Sequence, residues 1–381
     1  MDQFSVIERL EKARRIVIKI GSAVIVNRSR DIDTGLLESI TNDIAYLIGD
    51  LNKEIVVVSS GAVASGMAAM GLRKKPDNII HQQALAAIGQ PELMQLYKRL
   101  FQRFGITVSQ VLIAIDDIQN RRRFINAKNA LLTLIKWKSL PVVNENDTVV
   151  VKELCFGDND NLSSHVVNLT EADVLLMLSN VDGVYDKDPS EEGARLLRVV
   201  PSDFDAASLK GSGELGAGGI RSKVEAGRRV AALGKIAIVL NGTRRGILRD
   251  LFNGREVLYS LFEPASHPIS SKESWISSGV VAGAIVVDDG AKRSLLKHKS
   301  LLASGIVKVY GSFERGDIVS IESVDGRVIA RGITNYDSLE IERIKGLHSS
   351  RIAEVLGYKY SNDVVHIDNM VLFEETGRDN A

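Results

Sequence analysis

Short apolar runs punctuate the first two thirds of the chain: RIVIKI (15–20), EIVVVSS (54–60), ITVSQVLI (106–113), LPVVN (140–144), ADVLLMLSN (172–180) and KIAIVLN (235–241). They are rich in β-branched residues, nearly continuous rather than alternating, and too short for helices. That texture predicts strands buried on both faces of a parallel sheet. Between them, segments such as GLLESITNDIAYLIGDLN and QQALAAIGQPELMQLYKRLFQRFG carry apolar residues at helical spacing. Strand and helix alternating over about 260 residues predict an α/β fold, a three-layer αβα sandwich with a mainly parallel sheet. Ligands of such sheets bind beyond the carboxyl ends of the strands.

The pattern changes near residue 263. EPASHPISSKESWISSG holds two prolines and many serines and reads as a linker, residues 263–280. Beyond it AIVVDDGA, GIVKVYG, DIVSIES and GRVIARGITNY alternate, with glycine or charged turns between them. They predict a small β-rich barrel over 281–361, behind a first domain of 1–262, with 362–381 as a C-terminal tail whose end, ETGRDNA, is polar and reads as frayed.

Composition narrows the class. A chain of 381 residues exceeds one typical core, in keeping with two domains. Lysine and arginine together number 48, as do aspartate and glutamate, so no global field draws the chain to nucleic acid or membrane. No run of about 18 apolar residues is present, and the N-terminus lacks the apolar core of a signal peptide. Cys155 is the single cysteine, which excludes an intrachain disulfide and predicts a reducing, cytoplasmic setting. The six histidines show no metal-ligand spacing, and no residue is assigned as a metal ligand.

The candidate chemistry falls at predicted strand ends. VVNENDTVVVKELCFGDNDNL (142–162) sets Asn144, Glu145, Asn146 and Asp147 near Asp158, Asn159, Asp160 and Asn161. Such groups can grip a small polar molecule, or simply form two Asx turns flanking a hairpin. Lys19 sits inside the first strand, followed by Gly21 and Ser22. A buried lysine needs an anion beside it; the alternative is an edge strand whose lysine reaches solvent. VSSGAVASG (58–66) places Ser60, Gly61 and Ala62 at a helix start, as an anion site or a plain serine cap. In SNVDGVYDKDP (179–189) Asn180 and Asp182 could meet a ribose or base. GSGELGAGGIRSKVEAG (211–227) feeds glycine-rich chain into a helix expected near Arg221 to Lys223, an arrangement that cradles phosphates or a mere flexible loop. Two distant lysines without a nucleophile–histidine pair fit phosphoryl transfer, which depends on positioning and charge neutralisation.

In this order, IVIKIGSAVI, VVVSSGAVASG, QALAAIGQPELMQLY, VVNENDTVVVKELCFGDNDNLSSHV, LSNVDGVYDKDP and GAGGIRSK resemble the glutamate 5-kinases of the amino-acid kinase family. RVIARGITNYDSLEIERIKGLHSSRIAEVLGY is similar to the PUA domain that many of them carry. The resemblance implies transfer of the γ-phosphoryl of ATP to the side-chain carboxylate of L-glutamate, the first step toward proline. By motif it implies that Ser60, Asp147 and Asn159 hold glutamate, Asp147 being suited to the α-ammonium. Lys19 and Lys223 would act on the phosphoryl group and Asp160 would orient them. ATP would meet Lys19, Gly21, Ser22, Ser179, Asn180 and the run Ala217, Gly218, Gly219, Ile220, Arg221, Ser222 and Lys223, with Mg²⁺ on the nucleotide. Proline as feedback inhibitor, a homodimer or homotetramer, and a reductase as next enzyme are further expectations. The chain departs from the family pattern at Ala217, where threonine is usual, at Ser179–Asn180 in place of Thr-Asp, and in PELMQL. A kinase of another carboxylate such as acetylglutamate, and an RNA-binding role for the PUA region, are the alternatives. Lys292, Arg293, Lys297, His298 and Lys299 offer that region a basic helix face, although a neutral chain argues against a strong nucleic-acid footprint.

Overall fold

The computed structural model describes residues 3–26, 32–149, 159–205, 217–266 and 268–373. They divide into two units, Met1–Ile118 with Arg122–Pro268, and Gln119–Arg121 with Ile269–Ala381. The first unit holds β1 (Arg15–Ile20), β2 (Glu54–Ser59), β3 (Val108–Ile113), β4 (Leu140–Glu145), β5 (Val174–Ser179), β6 (Ile236–Asn241) and β7 (Tyr259–Phe262). Their order is β3-β4-β2-β1-β5-β6-β7, parallel throughout except for the antiparallel pair β6–β7. The six runs read as strands in the sequence are all strands. β7 escaped that reading because four residues at a sheet edge carry too little pattern. β3 is also an edge, and only Ile113 in it is buried.

Period-two alternation explains how a lysine enters the sheet. Ile16, Ile18 and Ile20 point to one face of β1 and pack in a core with Leu37, Ile40, Ile44 and Leu47 of the helix Thr34–Gly49. Val17 and Lys19 take the other face, which the helix Asn159–Thr170 covers. β1 lies between β2 and β5, with β2–β4 laid to one side of it and β5–β7 to the other, so the carboxyl end of β1 is the topological switch point of the sheet.

Two glycines set the packing beside that crevice. The helices Ala62–Ala69 and Ile79–Gln102 cross where Gly66 meets Gly89. A Cβ at Gly89 would overlap the Ala62 carbonyl oxygen and the Gly66 nitrogen, and one at Gly66 would overlap the Leu85 carbonyl. The longer helix runs on through Pro91, which forfeits one backbone N–H.

The second unit is a five-stranded mixed sheet ordered β12-β11-β10-β8-β9, from β8 (Gly283–Val287), β9 (Ile306–Gly311), β10 (Ile318–Ser323), β11 (Val328–Thr334) and β12 (Val365–Leu372). Ile285, Phe313, Val319, Ile321, Tyr336 and Ile341 belong to its core. Three expectations need correction. The stretch 263–280 is more than a linker, because Ser270 and Glu273 form a capping box that starts the helix Ser271–Ser278. The stretch 362–381 is not a tail throughout, because β12 pairs with β11; residues 374–381 lie outside the described residues. The basic run does not share one helix: the helix Asp289–Leu295 ends before Lys297, and His298 has a positive φ of 54°.

Gly89→Ala should cost about 1–3 kcal/mol by overpacking the crossing. A lowered thermal midpoint of the unit that contains it would be the result, and an unchanged melt would show that the helices separate freely.

Candidate active site

The carboxyl ends of β1, β2, β4, β5 and β6 lie along one edge of the sheet. In register, Ile20 stands between Ser59 and Leu178, and Ser179 stands beside Asn241. Lys19 is 2% exposed, which excludes an edge-strand lysine reaching solvent. Its Nζ lies 2.6 Å from Oδ1 of Asp160, a fully buried carboxylate in the first turn of the helix Asn159–Thr170. Lys223, 7% exposed on the helix Ala217–Ala232, places its Nζ 2.9 Å from the other oxygen, Oδ2. Ser222 Oγ lies 3.0 Å from the same Oδ2, and the Gly219 carbonyl accepts from Lys223 Nζ at 3.0 Å. Burial alone would raise the Asp160 carboxyl; the ammonium groups of Lys19 and then Lys223 outweigh it and hold the group well below the carboxylate range. Two cations thus share one anion and leave a surplus positive charge in a nearly dry crevice. Gly21 keeps the approach open, since a Cβ there would stand 3.5 Å from Lys19 Nζ.

On the β2 and β4 side lies a chain of amides. Asn159 Nδ2 donates to the Ser59 carbonyl at 2.7 Å and to Asn144 Oδ1 at 2.8 Å, and lies 3.0 Å from Ser60 Oγ. Asn144, which ends the apolar run of β4, donates through Nδ2 to Gln90 Oε1 at 2.9 Å. Ser60 is not a helix cap: Gly61 is the N-cap of Ala62–Ala69, at φ 109° with no side-chain capping bond. Behind it, the buried Tyr97 hydroxyl shares a 2.8 Å hydrogen bond with Ser59 Oγ. Nor do Asn159, Asp160 and Asn161 form a turn, for they open a helix. Asp147 occupies a 3-10 turn, Asp147–Val149, just past β4. Burial raises its carboxyl, with Lys75 opposing, and it makes no ion pair among the described residues.

On the β5 and β6 side, Ser179 ends β5 and Asn180 follows it, with Ser179 buried and Asn180 exposed. Asn241 donates to Asp182 at 3.0 Å and accepts from the Thr243 N–H at 3.0 Å. The glycine-fed helix begins at Ala217, earlier than Arg221 to Lys223. Ile220 is half-buried, and Arg221 pairs with Glu225 on the exposed side rather than with the lysine cluster. Ser22 is exposed at the start of the short helix Ser22–Ile25. Residues 150–158, with Cys155 and Asp158, and residues 206–216 lie outside the described residues.

Gln90 and Asn241 had no role in the reading of the sequence, and Asn144 entered it only as one member of the polar cluster 144–147. A polar residue closing an apolar strand was the available signal for Asn144 and Asn241. Gln90 had none, because helical spacing does not say what a side chain meets across the fold.

A parallel sheet with two lysines and a carboxylate gathered at its switch point defines a phosphoryl-transfer enzyme of the amino acid kinase class. Residues 14–241 match the model of the Amino acid kinase family, and residues 283–356 match that of the PUA domain. The chain is 43% identical to the glutamate 5-kinase of Syntrophotalea carbinolica over 369 residues, 95% of this chain and 98% of that one. Similar figures hold for that of Geobacter sp. strain M21, 43% identical over 96% of this chain and 99% of its own. The glutamate 5-kinase of Thermoanaerobacter sp. strain X514 is 38% identical over 94% and 98%. The chain belongs to the amino acid kinase family and, within it, to the glutamate 5-kinases.

His165, on the helix that carries Asp160, is pushed down to about 3 by burial and then by the charge of Arg229. An unfolded histidine binds its proton near 6.5. Between these values the unfolded chain holds more protons, so this contribution to stability is complete above about pH 6.5 and is lost as pH falls toward 3. From pH 6.5 to 5 the loss is on the order of 2 kcal/mol. Urea unfolding at several pH values should show a flatter slope in that window for His165→Gln, and a parallel slope would exclude the histidine as its source.

Proposed function

We propose that this chain transfers the γ-phosphoryl group of ATP to the side-chain carboxylate of L-glutamate, giving L-glutamyl 5-phosphate and ADP. The observation that carries this reading is the buried Lys19–Asp160–Lys223 cluster, flanked by an amide-lined side and a nucleotide-facing side. The order β4-β2-β1-β5-β6 puts Ser60, Asp147 and Asn159 on one flank of β1 and Ser179 and Asn180 on the other. Glutamate on the first flank and ATP on the second would meet over Lys19.

A glutamate carboxylate oxygen forms the new bond to the γ-phosphorus. The bond from that phosphorus to the β–γ bridging oxygen breaks, and ADP leaves with the electron pair. No general base is needed, since the attacking carboxylate is already ionised. Lys19 and Lys223 neutralise charge on the transferring and departing phosphates, while Asp160 orients both ammonium groups. Asp147, half-buried and raised by its surroundings, gains a partner when it meets the substrate's α-ammonium. Gly21, Ser22, Ala217, Gly218, Gly219, Ile220 and Ser222 complete the nucleotide side; Arg221, turned to Glu225, contributes at most at its rim.

Both Asp160 oxygens are taken by lysines, and among the described residues no group of three or more His, Cys, Asp or Glu gathers. Such a donor set suits Mg²⁺ carried on nucleotide phosphate oxygens and water, where it supplies further charge neutralisation. Residues 1–262 form the catalytic domain in this reading, acting in the cytoplasm as a homo-oligomer.

With ATP, Mg²⁺ and glutamate, hydroxylamine should trap a γ-glutamyl hydroxamate. Lys19→Ala should lower kcat by at least about 100-fold, and Asp147→Asn should raise KM for glutamate while sparing KM for ATP. Hydroxamate from acetylglutamate in place of glutamate would overturn the substrate, and full activity of Lys19→Ala would overturn the site.

Proline shares glutamate's ammonium and α-carboxylate, and in this reading it competes for the Asp147 side. Added proline should raise the apparent KM for glutamate and leave that for ATP alone; inhibition that glutamate cannot relieve would place proline elsewhere.

A further inference from the structure

The peptide between Ser60 and Gly61 has a direction that the sheet fixes. In register Ser59 stands beside Ile20 and Val58 beside Lys19, so the Ser59 side chain shares the face of Ile20 and Lys19 takes the other. Tyr97, in the core with Ile16, Ile18 and Ile20, meets Ser59 Oγ on that first face. The Ser60 carbonyl can only accept, so the Ser59 hydroxyl donates to it at 3.1 Å. A hydroxyl has one proton, and the 2.8 Å bond between Ser59 and Tyr97 is therefore donated by the tyrosine.

The Ser60 carbonyl is thus drawn toward the Tyr97 face. C=O and N–H of a planar trans peptide point opposite ways, so the Gly61 N–H is turned toward the Lys19 face. That N–H, like those of Ala62 and Val63 after it, has no acceptor among the described residues. Asn159 and the Ile20 carbonyl hold the preceding peptide, through the Ser59 carbonyl and the Ser60 N–H, and leave this one alone. Among the described residues only Ser59 donates to the Ser60 carbonyl. A reversed peptide is within reach. Gly61 sits at φ 109° and ψ 0°, and a half-turn of the peptide would bring φ to about −70°, an ordinary value. The flanking chain could stay in place, as between turns of types II and I. The reversal would set a carbonyl oxygen, not an N–H, toward Lys19.

We propose that Ser59 is a positioning residue: its hydroxyl holds the Ser60 carbonyl on the Tyr97 side and so presents the Gly61 N–H on the Lys19 side, to the carboxylate that is phosphorylated. This rests on the proposed glutamate kinase reading and deepens it. Ser59 touches no reacting atom. It decides whether the backbone beside Lys19 offers an anion a donor or a carbonyl oxygen that repels it.

The test follows glutamate turnover in the full-length protein. Ser59→Ala removes the donor to Ser60 and should lower kcat/KM for glutamate by at least about tenfold, with KM for ATP unchanged. Tyr97→Phe breaks the same 2.8 Å bond but leaves the Ser59 proton its acceptor at Ser60, and should stay within about threefold of the parent. If Ser59→Ala does not fold, Ser59→Ala combined with Tyr97→Phe leaves no hydroxyl unpaired, and the same loss is expected relative to Tyr97→Phe alone. Parental kcat/KM in folded Ser59→Ala, or an equal loss in Tyr97→Phe, would overturn the inference while the parent's turnover leaves the kinase reading standing. A parent with no glutamate turnover would remove both.

Discussion

Everything at the strand ends is arranged around one buried carboxylate holding two ammonium groups. At an effective dielectric near 20, each contact between Asp160 and a lysine is worth about 4 kcal/mol. Removing three ions from water costs several kcal/mol apiece. The cluster therefore adds little or nothing to stability, and the protein carries it for another reason. With two positive charges and one negative, it is incomplete as a neutral unit, and in the proposed reaction an incoming phosphate would complete it. Lys19 comes from a central strand, Asp160 from one helix and Lys223 from another, so the three elements must be docked before the cluster exists.

A second constraint governs the neighbouring side. Asn159 directly precedes Asp160 on the same helix turn, so the group that orders the lysines and the group that faces the amide chain move together. Hydrogen-bond direction passes from the Ser59 carbonyl and the Glu145 N–H through Asn159 and Asn144 to Gln90. Charge is concentrated on the β1 axis, and direction-specific neutral groups lie on the β2 and β4 flank. In the proposed reaction, phosphate and amino acid would thereby meet different physical interactions, a point charge for one and fixed dipoles for the other.

Segments that were legible in the sequence were those whose burial is symmetrical or whose motif is long. RIVIKI and ADVLLMLSN became central strands because both faces of a parallel sheet are covered. Lys19, Asp160 and Lys223 were found through motifs, before any distance was available. The errors fell where local pattern was short or ambiguous. β7 has four residues, the apolar run of β12 is broken by His366, Asp368 and Asn369, and a serine-rich stretch concealed a capped helix.

The sequence by itself determined the class of fold, the lysines and carboxylate that carry charge, and the family to which the chain belongs. Strand periodicity and residue chemistry are local properties and survive in a string of letters. Only the tertiary structure decided that Asp160 serves both lysines, that Ser60 faces Asn159 rather than capping its helix, and that Gln90 closes the amide chain from a helix 54 residues away from Asn144. Those facts depend on which face meets which across long sequence separations and on which end of an amide points inward. Packing and hydrogen-bond direction fix both, and neither has a period along the chain.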